Sequence, residues 1–183
     1  MKMSLSEMDS PLGAMLLVTD DREQVRALDF AERSARLRRG LREHYGAYEL
    51  IDAPAPTAVA DALRRYFSAD VHALDGINVA TAGTDLQRDV WAALRRIPPG
   101  HTTTYGALGR LLGFSDPRAA IDMGAAIGAN PIAVIVPCHR VVASNGDLKG
   151  YAWGLHRKRW LLEHEAAIQP QIAAAQTASL PGF

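Results

Sequence analysis

The chain has 183 residues, a length that fits one domain or two small domains with a buried core. Its 20 basic and 20 acidic side chains give zero formal net charge, which by itself argues against a nucleic-acid partner. No stretch approaches the roughly 18 apolar residues of a membrane span, and the N-terminus has no signal segment, so we expect a cytoplasmic protein without membrane contact. The single cysteine excludes internal disulfides and a thiolate zinc cluster, and we expect neither a metal nor a cofactor.

The charges are unevenly distributed along the chain. Residues 86–165 contain ten Lys and Arg but six Asp and Glu, a net charge of +4, whereas the remaining residues have a net charge of −4. An asymmetry of this kind is a hint that the second half of the chain faces a nucleic acid.

The first part of the chain, residues 1–82, is predicted to form a small α/β lobe. Short apolar runs on either side of a polar stretch predict a β-hairpin over residues 12–30. A helix is predicted over 31–45, a second helix ends at Phe67, and residues 76–80 predict a short strand. This lobe has no catalytic constellation, so its expected role is to support the second lobe. Five arginines of the first helix are interpreted either as phosphate contacts or as a solvated helix face: Arg33, Arg36, Arg38, Arg39 and Arg42.

Residues 83–168 are predicted to form a second, mostly helical lobe. A capping box at Thr84 begins a helix over 85–96. A helix over 104–112, a glycine-containing turn and a helix over 118–128 then follow. This arrangement is typical of a helix-turn-helix.

The only cysteine, Cys138, follows an apolar run at 132–136 that predicts a buried strand, which Pro137 ends. The thiol is therefore expected at a strand end beside His139. Thiolate is the attacking form of cysteine, and a neighbouring base can generate it from a reference pKa of about 8.5. An inert buried cysteine has the same local pattern, so both interpretations stay open on this segment alone.

Several segments resemble those of the O6-alkylguanine-DNA alkyltransferases. They include Pro-Cys-His-Arg-Val at 137–141 and Gly-Tyr-Ala-Trp-Gly at 150–154, and the resemblance extends over about 83–165. The Trp of the second motif is most similar to the C-terminal half of the bacterial adaptive-response proteins. The resemblance implies a ribonuclease H-like first lobe and a winged-helix-like second lobe. Residues 169–183 are uncharged and rich in Ala, Gln and Pro, so we expect a disordered tail.

The resemblance also implies a function, direct reversal of DNA damage. The protein would act as a monomer on double-stranded DNA, without an obligate protein partner. An alkyl group, methyl above all, would pass irreversibly from O6-alkylguanine, or from O4-alkylthymine, to Cys138 in a single turnover. This displacement at carbon needs a thiolate, a proton donor for the departing guanine and a base rotated out of the stack.

By the same resemblance, a proton relay connects Glu165, His139, a water molecule and Cys138. Neighbouring side chains on extended backbone point to opposite faces, so a water or a turn must lie between His139 and Cys138. Glu165 would orient and polarise the imidazole. Asn130 matches an asparagine that ties the recognition helix to the active-site segment, and it also fits a plain helix C-cap.

The remaining expected site residues follow from the same matches. Tyr151 would protonate or hydrogen-bond the leaving guanine, and Lys158 would support the Tyr151 hydroxyl. The expected base pocket consists of Leu148, Ala152 and Trp153. The expected DNA contacts are Tyr105, Arg118, Ala119, Ala120, Ile121 and Arg140.

The predicted recognition helix departs from the family pattern at Ile121, where the family has an arginine that fills the gap left by the flipped base. An apolar wedge can fill that gap but cannot hydrogen-bond the orphaned partner base. Asp122 also places a negative charge near phosphates, for which Arg118 could compensate.

Two other functions stay open on the sequence. A helix-turn-helix lesion sensor or regulator with weak transfer would account for Ile121 and Asp122, although the presence of Cys138 and Glu165 argues against it. A cysteine-histidine hydrolase is the second alternative, but no glycine-rich oxyanion segment adjoins Cys138. Methyl transfer that stops at one equivalent would discriminate the favoured function from both.

Overall fold

The computed structural model describes residues 1–170, except for the side chains of 117–120, and the predicted tail at 169–183 lies almost wholly outside the described part. The first lobe is built on one sheet, whose strands are β1 (Lys2–Met8), β2 (Met15–Thr19), β3 (Val25–Phe30) and β4 (Glu49–Asp52). The strand order is β3-β2-β1-β4, with β2 antiparallel to β1 and β3, and with β4 parallel to β1. The predicted hairpin over 12–30 is thus confirmed as β2 and β3.

The first lobe differs from the prediction at its remaining strands. The predictions do not include β1 and β4. Residues 2–6 of β1 alternate between polar and apolar side chains, a strand signal that the prediction overlooks, whereas β4 has no such alternation and is largely exposed. The predicted strand at 76–80 is wrong. Its residues follow a series of turns, and only Val79 forms a single bridge, to Val25 of β3.

Two helices complete the first lobe. The predicted helix over 31–45 is confirmed in its main part. Residues Ala31–Arg33 form a 3-10 turn, and α1 spans Ser34–Tyr45 and buries Leu37 and Leu41. Helix α2 spans Thr57–Phe67, and Tyr66 in its last turn is fully buried.

The second lobe contains the helices α3 (Asp85–Leu94), α4 (Tyr105–Leu111), α5 (Pro117–Gly128) and α6 (Leu155–His164). The predicted helices over 85–96, 104–112 and 118–128 are confirmed, and so is the capping box, in which Thr84 and Gln87 exchange side-chain to backbone hydrogen bonds. Helix α5 packs against both α3 and α4, as a helix-turn-helix requires. Two short parallel strands, β5 (Thr103–Thr104) and β6 (Val141–Val142), complete this lobe.

The predicted strand at 132–136 is wrong, although the residues are buried as predicted. Ile132 bridges Leu28, but the next backbone groups then hydrogen-bond locally, from Val136 N to Ile132 O at 3.2 Å and from Cys138 N to Val136 O at 2.8 Å. Val134 also has a φ of 65°, which no strand residue adopts. A buried turn and a buried strand need the same apolar residues, so the sequence pattern could not separate them.

The segment before Cys138 is aligned by the first lobe. Leu28 lies on β3, at the edge of the sheet, where its N donates to Pro131 O at 3.0 Å and its O accepts from Ala133 N at 2.8 Å. Nearby, Asp29 accepts a hydrogen bond from Trp153 Nε1 at 2.6 Å and an ion-paired hydrogen bond from Arg36 at 3.0 Å. The two lobes are therefore joined by backbone pairing and by a buried carboxylate.

We predict that Asp29→Ala destabilises the protein by about 2–4 kcal/mol, because the change leaves the buried indole N–H of Trp153 without its acceptor and the Arg36 guanidinium without its counter-charge. Urea unfolding should measure the loss. Asp52→Ala, at an exposed position of β4, is the control and should change stability little. Equal stability of Asp29→Ala and the control would contradict the proposed importance of this lobe contact.

Candidate functional site

The Cys138 thiol lies at the start of a single 3-10 turn, Cys138–Arg140, and the residue is only 4% exposed. Asn130, fully buried after α5, holds this turn in place. Its Nδ2 donates to Cys138 Sγ at 3.2 Å and to Val136 O at 2.8 Å, while its Oδ1 accepts from Ile132 N at 2.9 Å. One amide thus connects the chain just after α5 to the thiol.

The next residue along the turn, His139, is fully buried and its Nε2 lies 2.9 Å from Glu165 Oε1. A carboxylate only accepts hydrogen bonds, so the Nε2 of His139 is the protonated nitrogen of the neutral ring. The other nitrogen, Nδ1, is buried and has no hydrogen-bond partner among residues 1–170. Its lone pair is therefore available to take up a proton.

Glu165 is held by more groups than the expected relay contains. Arg140 donates to both carboxylate oxygens at 2.9 Å, and the hydroxyl of Tyr66 donates to Oε1 at 2.6 Å. Burial by itself raises the pKa of Glu165, but the hydrogen bonds and charges of His139 and Arg140 hold this pKa well below its ordinary value. Glu165 is therefore ionised at neutral pH.

Burial has the opposite consequences for the other two members of the relay. It raises the pKa of the Cys138 thiol to about 11, although the Asn130 hydrogen bond and the charges of Lys158 and Arg36 act against it. Burial also lowers the pKa of His139, against the influence of Glu165. At neutral pH the site thus holds a protonated thiol and a neutral imidazole, which is the arrangement of an acid and a base before proton transfer.

Tyr151 and Lys158 lie at the same site but do not form the expected hydrogen bond with each other. The Tyr151 hydroxyl is buried without a hydrogen-bond partner in the described part of the chain, and burial together with Cys138 raises the pKa of Tyr151 well above its ordinary value. Lys158 Nζ instead donates to backbone carbonyls, including Val141 O at 2.6 Å and Leu148 O. Burial lowers the pKa of Lys158 to about 8. Its role in the structure is to fasten the loop before Tyr151.

The three expected pocket residues lie on this loop and after it. Leu148 and Ala152 are half-buried, whereas Trp153 is fully buried. The Trp153 ring packs edge-on against Tyr151 with 5.2 Å between centroids, and the Arg36 guanidinium lies 4.7 Å from the centroid of the indole. The orientation of the Trp153 ring is therefore set in part by Arg36 of the first lobe.

The expected DNA contacts divide into two groups. Tyr105 is half-buried at the start of α4, and Ile121 is 73% exposed on α5, so both positions are compatible with contact to a duplex. Arg118, Ala119 and Ala120 belong to α5, but their side chains are outside the described part.

Arg140 does not fit the expected contact with DNA. Its side chain is buried, and all three guanidinium nitrogens are used within the protein, Nε and one Nη by Glu165 and the other Nη by Ile97 O. Because the Glu165 carboxylate already binds the Arg140 guanidinium, Arg140 cannot also bind a DNA phosphate. Arg140 is instead the counter-charge of Glu165.

Sequence reasoning also missed Tyr66, Arg36 and Asp29, which all belong to the first lobe. Arg36 is neither a phosphate contact nor part of a solvated face, because it donates to Gly128 O and Asn130 O at 3.1 Å each. The sequence contains no signal for these pairings, since the partners are far apart along the chain.

The described part of the chain contains no group of three or more His, Cys, Asp or Glu side chains placed to hold a metal ion. Within residues 1–170, no helix has the length and hydropathy that a membrane crossing requires.

Comparison with known proteins gives consistent matches over both lobes. The ribonuclease-like domain of 6-O-methylguanine DNA methyltransferase matches residues 3–81, and the DNA-binding domain of 6-O-methylguanine DNA methyltransferase matches residues 85–167. A methylated-DNA–protein-cysteine methyltransferase of Shigella flexneri is 44% identical over 161 residues, which are 87% of this chain and 93% of the relative. A protein of the same name from Mycobacterium bovis is 44% identical over 119 residues, 65% of this chain and 70% of that protein.

Solved structures agree with this assignment. The crystal structure of Mycobacterium tuberculosis OGT in complex with DNA superposes with a TM-score of 0.72 at 34% identity, covering 90% of this chain and 93% of that one. The expected fold, a ribonuclease-like lobe followed by a helical lobe with a helix-turn-helix, is confirmed.

We predict that Asn130→Ala destabilises the protein by about 2–4 kcal/mol and raises the pKa of Cys138 further, because the change removes a buried donor to the sulfur and leaves Val136 O and Ile132 N unpaired. Urea unfolding and the pH dependence of Cys138 alkylation would measure the two effects. Asn145→Ala, at an exposed position, is the control. An unchanged thiol titration in Asn130→Ala would contradict the role of this amide.

Proposed function

This chain belongs to the 6-O-methylguanine DNA methyltransferase family, and we propose that Cys138 is its alkyl acceptor. The protein is a methylated-DNA–protein-cysteine methyltransferase that repairs DNA by direct reversal, with transfer of the alkyl group to a cysteine. The observation that supports the choice of residue is simple: Cys138 is the only cysteine among the 183 residues. Its free thiol also fits a reducing compartment, which supports a cytoplasmic location.

The proposed substrate is double-stranded DNA that contains O6-alkylguanine, with O4-alkylthymine as a related substrate. Both bases have an alkyl group on an exocyclic oxygen, and that oxygen becomes a good leaving group once the ring accepts its electrons. The buried position of Cys138 supports a base rotated out of the duplex, because an atom enclosed to this degree cannot reach a stacked base.

The reaction begins with removal of the thiol proton. His139 Nδ1 is the base, with a water molecule between it and Cys138, and Glu165 stabilises the imidazolium that forms. The Cys138 sulfur then bonds to the alkyl carbon as the bond from carbon to O6 breaks, and the electron pair stays on the guanine. In this proposal the Tyr151 hydroxyl protonates or hydrogen-bonds the departing guanine, and its lack of a partner among the described residues supports this role.

The thioether product ends the reaction. In a thioether the thiolate is a poor leaving group, so water does not remove the alkyl group from the Cys138 sulfur. Each molecule of the protein therefore acts once.

We predict that one equivalent of O6-methylguanine duplex adds one methyl group to Cys138, and that further duplex adds none. Intact mass and peptide mapping measure this stoichiometry. Cys138→Ser is the matched control, because it should bind the duplex but accept no methyl group, since a hydroxyl ionises far less readily than a thiol. Release of repaired DNA beyond one equivalent would overturn the single-turnover proposal.

A second prediction concerns the exposed Ile121 at the position of the family arginine. Ile121→Arg should tighten binding to the lesion duplex by about 1 kcal/mol or more, because the guanidinium adds charge and can hydrogen-bond the orphaned base. Leu111→Arg is the control, since Leu111 is another exposed apolar residue of the helix-turn-helix, 67% exposed on α4. Fluorescence anisotropy at low salt measures both. If Ile121→Arg gives no gain over Leu111→Arg, α5 does not insert into the duplex as proposed.

A further inference from the structure

The Glu165 carboxylate is completed by a residue of the first lobe. The Tyr66 hydroxyl, on the last turn of α2, donates to Oε1 at 2.6 Å. The same oxygen accepts from His139 Nε2 and from an Arg140 Nη, both at 2.9 Å. Tyr66 is fully buried, so solvent does not compete with its hydroxyl for the Glu165 oxygen.

We propose that Tyr66 is a positioning residue of the alkyl-transfer relay, which acts through Glu165 to set the basicity of His139. This inference rests on the proposed relay of Cys138, His139 and Glu165. It assigns to the first lobe a part in the chemistry, beyond the support expected of it.

The physical reason lies in the shared oxygen atom. A donor that binds an anion draws charge toward itself and leaves less for the other donors. The Tyr66 hydroxyl therefore weakens the attraction of Oε1 for the ring of His139, and it does so most when the ring becomes an imidazolium. Loss of the hydroxyl should stabilise the imidazolium and make Nδ1 a stronger base.

Tyr66 is suited to this role because its hydroxyl stays protonated. Burial, followed by the neighbouring Glu165 charge, raises the pKa of Tyr66 well above its ordinary value. The residue is thus a permanent donor across the pH range in which His139 titrates, and the hydrogen bond to Glu165 persists over that range.

The backbone of Tyr66 fixes the same geometry. Its carbonyl oxygen accepts from His164 Nε2 at 2.6 Å, and the two rings pack edge-on at 5.2 Å. His164 ends α6, and Glu165 caps that helix. Tyr66, at the end of α2, therefore binds two consecutive residues of the second lobe. Its carbonyl oxygen binds His164, and its hydroxyl binds Glu165.

The test is the acid limb of the methyl-transfer rate, which reports protonation of the general base. Single-turnover rates with O6-methylguanine duplex should be measured from pH 5 to pH 9 for the wild type and for Tyr66→Phe. We expect the midpoint of the acid limb to move to higher pH by about half a unit or more in Tyr66→Phe. Tyr48→Phe is the matched control, because the Tyr48 hydroxyl bonds an exposed backbone carbonyl of the same lobe, and its midpoint should stay in place.

A second substitution keeps the hydroxyl and should shift the midpoint of the acid limb in the opposite direction. 3-Fluorotyrosine at position 66 is a stronger donor than tyrosine, so it should move the midpoint to lower pH. NMR titration of the His139 ring should give the same two shifts without DNA. A midpoint that does not move, or that moves in the same direction in both proteins, would overturn the assignment of Tyr66 and leave it a purely structural residue.

His139→Gln separates this inference from the function on which it rests. If the acid limb persists unchanged in His139→Gln, the relay itself is wrong. If the limb disappears in His139→Gln but is the same in Tyr66→Phe as in the wild type, the relay is retained and only the role of Tyr66 fails.

Discussion

The buried carboxylate of Glu165 is the charge on which the rest of the site depends. Its side chain has no exposure to solvent, so the cost of removing this charge from water must be offset by its partners. Only Arg140 supplies a full positive charge, while His139 and Tyr66 supply uncharged donors. Because those donors come from α2 of the first lobe and from the turn Cys138–Arg140 of the second lobe, the site and the fold are stabilised together.

The burial of the thiol has a protective effect on a protein that reacts once. Thiolate is the form that oxidants and soluble alkylating agents attack. With a pKa of about 11 and 4% exposure, Cys138 remains a thiol until a base removes its proton inside the closed site. An acceptor with a permanently low pKa would instead be consumed without repair.

The parts of this structure that could be predicted are those with local signals. The capping box at Thr84 and the apolar periodicity of α3 and α5 depend on residues close together in the chain. The turn at Cys138 could not be predicted, because the apolar run before it is equally suited to a buried strand. The pairing of Arg140 with Glu165 spans 25 residues and that of Tyr66 with Glu165 spans 99, and no spacing rule connects residues at such separations. The resemblance supplies the proposed reacting residues, whereas the charges around them required the three-dimensional structure.

The hydrogen bonds from Arg36 to Gly128 O and Asn130 O fix the C-terminal end of α5 to the first lobe. In the proposed complex with DNA, the C-terminal end of this helix is therefore already ordered, and little conformational entropy of that end is lost on association. A rigid helix cannot adapt its path to the groove. The distortion that exposes a base must then occur in the duplex, where unstacking costs a few kcal/mol and costs least at a weakened base pair. Rigidity of the protein thus becomes a source of selectivity for damaged sites, independent of any direct contact with the lesion.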